Sequence, residues 1–187
     1  MKLYLSMSKH LKIYGIILIL ILSCKTPKQL MTKYPVILYL NKEYKEIVRI
    51  KLPIKIQLKN NTISEKSFSS IDYKYFPYEK GIGVPLYIEQ NDKLVRIKQS
   101  KKKKIQSKET QEYIIYTRHR VDTSRSIQKS FNSYIDKMIS SNLDTLTIGT
   151  VDEFKKSNRK ILDILTDKDS ISVDMWKSKN IVVPVAW

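Results

Sequence analysis

The sequence predicts an α+β protein: a β-sandwich over residues 34–122, followed by a small C-terminal αβ extension over 123–187. Two features of hydrophobic periodicity predict it. Between residues 34 and about 120, short segments bounded by turns place apolar side chains at alternate positions, most plainly over 52–58, 71–75 and 84–88, as half-buried strands require. At residue 123 the repeat lengthens to about four, the spacing of an amphipathic helix. A third observation sets the N-terminus apart, because residues 1–33 follow neither period.

From Ile16 to Leu22 every side chain is Ile or Leu, and Ile13, Tyr14 and Gly15 extend the block. The whole run is about half of the roughly 20 residues that a membrane-spanning helix needs. Lys2, Lys9 and Lys12 precede or enter it, small Ser23 closes it, and no acidic residue occurs before Glu43. A basic start, a short apolar run and a small residue at its end are the pattern of a signal peptide, here residues 1–23. Residues 25–33, "KTPKQLMTK", have no period and contain a proline, so they read as a tether.

The tetrapeptide Ile21-Leu22-Ser23-Cys24 resembles the lipobox of bacterial lipoproteins, with Ile at 21 where Leu is commoner. That resemblance covers targeting alone. It implies that Cys24 is thioether-linked to diacylglycerol, that the chain is cut before it, and that residues 24–33 form a lipidated tether to the membrane. Cys24 is the only cysteine, so no disulfide can form within the chain. Lys25 and Thr26 stand where enteric lipoproteins kept at the inner membrane carry an Asp. By resemblance the destination is the outer membrane, and the absence of acidic residues after Cys24 favours its periplasmic side.

Within the β region, "YPVILYL" at 34–40 and "YKEIVRI" at 44–50 are the first two strands. Leu52, Ile54, Ile56 and Leu58 then alternate with Lys51, Pro53, Lys55, Gln57 and Lys59, giving an apolar face and a basic one. Pro53 has no N–H to offer, so its strand lies at an edge or begins there. Asn60-Asn61 is a turn. Ile71, Tyr73 and Tyr75 form the next alternating set, and "GIG" at 81–83 is a loop that lacks the rest of any nucleotide-binding fingerprint. Val84, Leu86 and Ile88 lead through "QNDK" at 90–93 into "LVRIK" as a hairpin, and "EYIIYTRHR" at 112–120 is the last strand. The order of a strand ending in "LKNN", a tyrosine-rich strand, a hairpin and a late strand resembles an immunoglobulin-like β-sandwich, without its Cys and Trp landmarks.

In the extension, Ile127, Phe131, Ile135 and Ile139 recur every four residues after Thr123 and Ser124 as candidate N-caps. Thr150 and Glu153 form the capping box of a second helix, whose Val151, Phe154, Ile161 and Leu165 share a side. "DTLTIGT" between the helices reads as a strand. Ile171, Val173 and Met175 alternate after "DKDS" at 167–170, a helix-to-strand turn, and "NIVVPVAW" closes the chain.

The formal net charge is +17; residues 1–23 hold three lysines and no acid, so the remainder carries +14. Such a charge attracts acidic surfaces. Of the 35 basic residues 29 are Lys, which also fits plain compositional bias and argues against bidentate phosphate recognition. His119, the one histidine after residue 23, lies near Asp122 and Ser124 in sequence. A Ser-His-Asp site there lacks a nucleophile elbow and competes with a plain solvated or edge-strand histidine kept neutral by its flanking arginines. One histidine and a lipidated cysteine do not furnish a zinc site, and no cofactor motif is found.

Two binding candidates remain. Lys101, Lys102, Lys103 and Lys104 form a charge cluster in a loop between strands, which reads equally as a solvated connector. Tyr73, Tyr75 and Tyr78 lie among lysines and can stack on a ligand or fill a core. The sequence therefore predicts a non-enzymatic envelope lipoprotein that binds the membrane through Cys24 and a protein or anionic envelope polymer through its body. An immunity-type lipoprotein that neutralises a toxin is the alternative within binding, and a hydrolase using His119 is the rival class. Nucleic acid is not an expected partner.

Overall fold

A computed structural model of the chain describes residues 26–30, 32–75 and 82–187. The predicted signal peptide, Cys24 and Tyr78 lie outside the described residues.

Strands form in the period-two segments, and short strands also form over Lys28–Leu30, Ile82–Gly83 and Lys103–Ile105, in the stretches read as a tether and as loops. The first eight are β1 (Lys28–Leu30), β2 (Pro35–Asn41), β3 (Glu46–Lys51), β4 (Pro53–Lys59), β5 (Lys66–Lys74), β6 (Ile82–Gly83), β7 (Leu86–Gln90) and β8 (Lys93–Ile97). They are followed by β9 (Lys103–Ile105), β10 (Thr110–Tyr116) and β11 (His119–Arg120). Helix α1 (Arg125–Gln128), a 3-10 turn (Lys129–Phe131) and α2 (Asn132–Ser140) come next. Strand β12 (Thr145–Thr150), helix α3 (Val151–Thr166) and strands β13 (Ser170–Met175) and β14 (Ile181–Pro184) complete the chain. The protein is thus mostly antiparallel β-sheet, with its described helices confined to the C-terminal third.

Three sheets result. Sheet A has the order β1-β4-β10-β7-β8, sheet B β11-β3-β2-β12, and sheet C β14-β13-β5-β6 with β9 also pairing β5. Two chain segments pass from one sheet to another side by side. Leu52 lies between β3 in sheet B and β4 in sheet A, and Thr117 lies between β10 and β11 in the same two sheets. Both are fully buried, and they hold each other: the Thr117 N–H donates to the Leu52 carbonyl at 2.9 Å, and the Leu52 N–H to Thr117 Oγ1 at 3.0 Å. The predicted single strand over 112–120 is therefore split, its halves serving different sheets. Pro53 opens β4, where its missing N–H costs no ladder bond, although β4 is an interior strand.

Two hydrophobic cores follow from this arrangement. Ile54, Ile56, Phe68, Ile71, Tyr73, Leu86, Ile115, Ile171 and Val173 fill the first, between sheets A and C, an arrangement compatible with a β-sandwich. Val36, Leu38, Ile47, Ile50, Phe131, Met138, Phe154 and Leu162 fill the second, between sheet B and the helices. The cores do not divide at residue 122. Strand β12 pairs β2 in the second, while β13 and β14 carry the end of the chain back onto β5 in the first. Residues 28–30 of the predicted tether pair with β4 as an edge strand.

Local signals explain the connections. Asn91 and Asp92 both have positive φ, 49° and 59°, the two-residue turn that the β7–β8 hairpin requires. The capping box of α3 is formed: the Thr150 N–H donates to Glu153 Oε2 at 2.7 Å, and the Glu153 N–H to Thr150 Oγ1 at 3.4 Å. Ser124 occupies the N-cap of α1, but its side chain makes no capping bond.

Candidate functional site

Two arrangements gather chemistry-bearing side chains among the described residues. The first lies where the two cores meet. Period two puts Tyr73 and Tyr75 on the inner face of the sheet C segment, where both are buried, so neither is the surface binding residue that their interleaving with lysines suggested. The Tyr73 hydroxyl donates to Asp169 Oδ2 at 2.8 Å, and the Tyr75 hydroxyl accepts from the Arg118 N–H at 2.5 Å. His119, on β11, stands edge-on to both rings, with centroids at 5.6 Å from Tyr73 and 5.1 Å from Tyr75, which are themselves 4.7 Å apart. Its Nδ1 is 3.8 Å from Asp169 Oδ2, beyond hydrogen-bond length, and its Nε2 is buried without a hydrogen-bond partner among the described residues.

Burial sets the charges here. It pushes the His119 imidazole down to about 4, against an opposing pull from the Leu165 carbonyl, so the ring is neutral at pH 7. Burial, the Asp169 charge and the hydrogen bond to Asp169 all raise the Tyr73 phenol, while burial pushes Tyr75 up to about 12 despite the Arg118 N–H. The histidine is therefore an edge-strand residue, as one reading expected, but an enclosed one. Desolvation, rather than the flanking arginines, keeps it neutral. Asp122 and Ser124 do not join it. Both are exposed, and Asp122 Oδ1 accepts instead from the Ser124 N–H at 2.7 Å. The cluster's phenols are held protonated, no serine joins it among the described residues, and the arrangement ties the two cores together.

The second arrangement is the lysine run, which the structure resolves into four different roles. Lys103 opens β9 and folds its ammonium back to donate to the carbonyls of Ser69, Gln99 and Lys101, each at 2.7 Å. Burial lowers its pKa, and the ammonium also stands 5.4 Å from the Phe68 ring. Lys104 pairs with Glu65 at 3.2 Å, Lys102 lies 5.5 Å over the Trp176 ring, and Lys101 is exposed. Three of the four thus present charge at the surface, and Lys103 is a structural tie.

Asp169 was missed by sequence reasoning, which read "DKDS" only as a turn. No local pattern marks it, since its partner Tyr73 is 96 residues away. Among the described residues, no group of three or more His, Cys, Asp or Glu side chains is placed to hold a metal ion. Nor is any described helix long and apolar enough to cross a membrane. In comparisons with protein-family models, curated proteins and solved structures, nothing matches this chain.

Proposed function

We propose that the protein is a non-enzymatic lipoprotein of the cell envelope, held at the outer membrane by acylated Cys24 and facing the periplasm. Its immunoglobulin-like body would bind a protein or anionic envelope partner. The observation that carries this reading is the basic start, short apolar run and Ile21-Leu22-Ser23-Cys24 in sequence, with Lys28 already pairing β4 four residues later. An acyl anchor so close to an edge strand would hold the body against the bilayer, because four extended residues span at most about 14 Å. The core shared by sheets A and C supports the sandwich part of the reading. The burial of His119, with no serine beside it among the described residues, supports binding over hydrolysis.

Labelled palmitate tests the anchor. The wild-type chain should incorporate it and lose residues 1–23, whereas Cys24→Ala should remain a larger, unlabelled precursor. Equal labelling of the two would refute the reading.

A further inference from the structure

Strand register places several surface features at one end of the molecule. Because β1 runs antiparallel to β4 with Lys28 opposite Gln57, the chain preceding Lys28 leaves toward Lys59. The loop 60–65 joins β4 to β5 at that same end. The turn 106–109 lies beside it, since Ile105 is opposite Lys66 and Thr110 opposite Lys59. The β13–β14 turn is there too, its Trp176 N–H donating to the Ser67 carbonyl at 2.9 Å.

This end presents apolar side chains to solvent on a rigid support. Ile63, in the loop 60–65, is 81 % exposed, and Trp176 is 49 % exposed. The loop is fixed from within by Asn60, which is fully buried. Its Nδ2 donates to the carbonyls of Ser64, Ile105 and Gln106 at 2.8–3.0 Å, and its Oδ1 accepts from the Thr62 N–H and hydroxyl. Ser107 Oγ adds a bond to the Thr62 carbonyl at 2.9 Å. A loop ordered in advance loses little further entropy when its tip makes a contact.

The charge of this end is one-sided. Segments 59–66, 101–109 and 176–180 together hold nine lysines against two glutamates, Glu65 and Glu109. All nine cations are lysines, compact hydrated charges suited to a diffuse anionic surface, with no arginine fork for bidentate contacts. Aromatic and aliphatic side chains among lysines are what an interfacial contact with anionic lipid uses.

We infer that this end is a docking face for an anionic phospholipid surface, with Ile63 and Trp176 entering the headgroup region and Lys101, Lys102, Lys177 and Lys179 meeting lipid phosphates. The inference rests on the proposed anchor for its orientation: an acylated Cys24 would leave the body at the very end that carries the patch. The exposed apolar residue on α3 has a different, mixed-charge setting. Ile164, 56 % exposed, lies near Arg159 and Asp163, which pair at 3.0 Å.

The test uses the chain as isolated from its own membranes, placed in phosphatidylcholine vesicles with or without phosphatidylglycerol, either lipid carrying brominated acyl chains that quench tryptophan on contact. Trp187 packs against both cores, away from this end, so quenching reports Trp176. Brominated phosphatidylglycerol should quench at least about threefold more than brominated phosphatidylcholine, given roughly fivefold tighter association per lysine near an anionic leaflet. Trp176→Phe should abolish that quenching, and Ile63→Ser, or Lys101→Ser with Lys102→Ser, should at least halve it. Ile164→Ser should leave it unchanged, and unaltered melting temperatures will show that the variants fold. Equal quenching by the two lipids, or quenching that Ile63→Ser does not reduce, would overturn the inference. So would protection of Trp176 by a soluble acidic polymer when brominated lipid gives none, which would assign the face to a polymer or acidic protein. The mass of Cys24 is read in the same samples. Unmodified Cys24 with lipid-selective quenching would remove the anchor and keep the docking face, and acylated Cys24 without quenching would do the reverse.

Discussion

Lys103 shows how one residue in a uniform run can differ from its neighbours. Its ammonium donates to three carbonyls, so Lys103→Ser should destabilise the fold by about 1–3 kcal/mol, the cost of leaving part-buried acceptors unpaired. Lys101→Ser and Lys102→Ser should each change stability by less than about 0.5 kcal/mol, as exposed charges do. Urea unfolding of the three variants measures this, and equal effects would show that Lys103 is no more than a surface charge. The four lysines are identical in sequence, and only the pairing of β9 with β5 decides which one turns inward. His119 makes a second prediction at this scale. Its folded pKa, about 4, lies below the ordinary value of 6.5, so between these limits the unfolded chain binds more protons. The stability it confers is complete above pH 6.5 and is lost as the pH falls toward 4, by about 3 kcal/mol in all. Unfolding free energies across this range should show that slope, and His119→Gln should flatten it. A slope unchanged by the substitution would place the titration elsewhere.

Elements were legible wherever one period governed a whole segment. The β4 alternation, the β7–β8 hairpin and the α3 capping box could all be read from adjacent residues. Thr150→Ala should accordingly lower stability by about 1 kcal/mol, while Thr150→Asp should retain most of it. Thermal unfolding distinguishes the two, and a neutral Thr150→Ala would mean that packing of Phe154 and Leu162 alone holds the helix start. What was not legible were the interruptions. The strand over 112–120 reads as continuous because no Gly, Pro, Asn or Asp interrupts it, yet at Thr117 it must leave sheet A beside Leu52. The helix predicted after residue 123 keeps its four-residue repeat through Phe131, but its backbone tightens to a 3-10 turn over Lys129–Phe131, where Phe131 enters the second core. Tyr73 and Tyr75 were legible as one face of a strand. Which face met the core depended on β13, a strand almost a hundred residues further along.

At the scale of the whole molecule, the two cores are built from both halves of the chain. Because β12 completes sheet B and β13 completes sheet C, the protein should unfold in a single transition, and a fragment ending at residue 122 should not fold. Circular dichroism and near-ultraviolet signals melting together would agree, whereas a stable fragment 26–122 would show that the body is independent of the extension. Sequence period could not reveal this interleaving, since it reports which side of an element is buried and not what buries it. The proposed lipidated tether, and the orientation it would give the docking face, depend on one chemical fact at the N-terminus. The most direct measurement is the intact mass of the protein extracted from its own membranes. The account predicts a chain that begins at Cys24 and carries diacylglycerol on its sulfur. A chain that retains residues 1–23, or one with an unmodified Cys24, would contradict it.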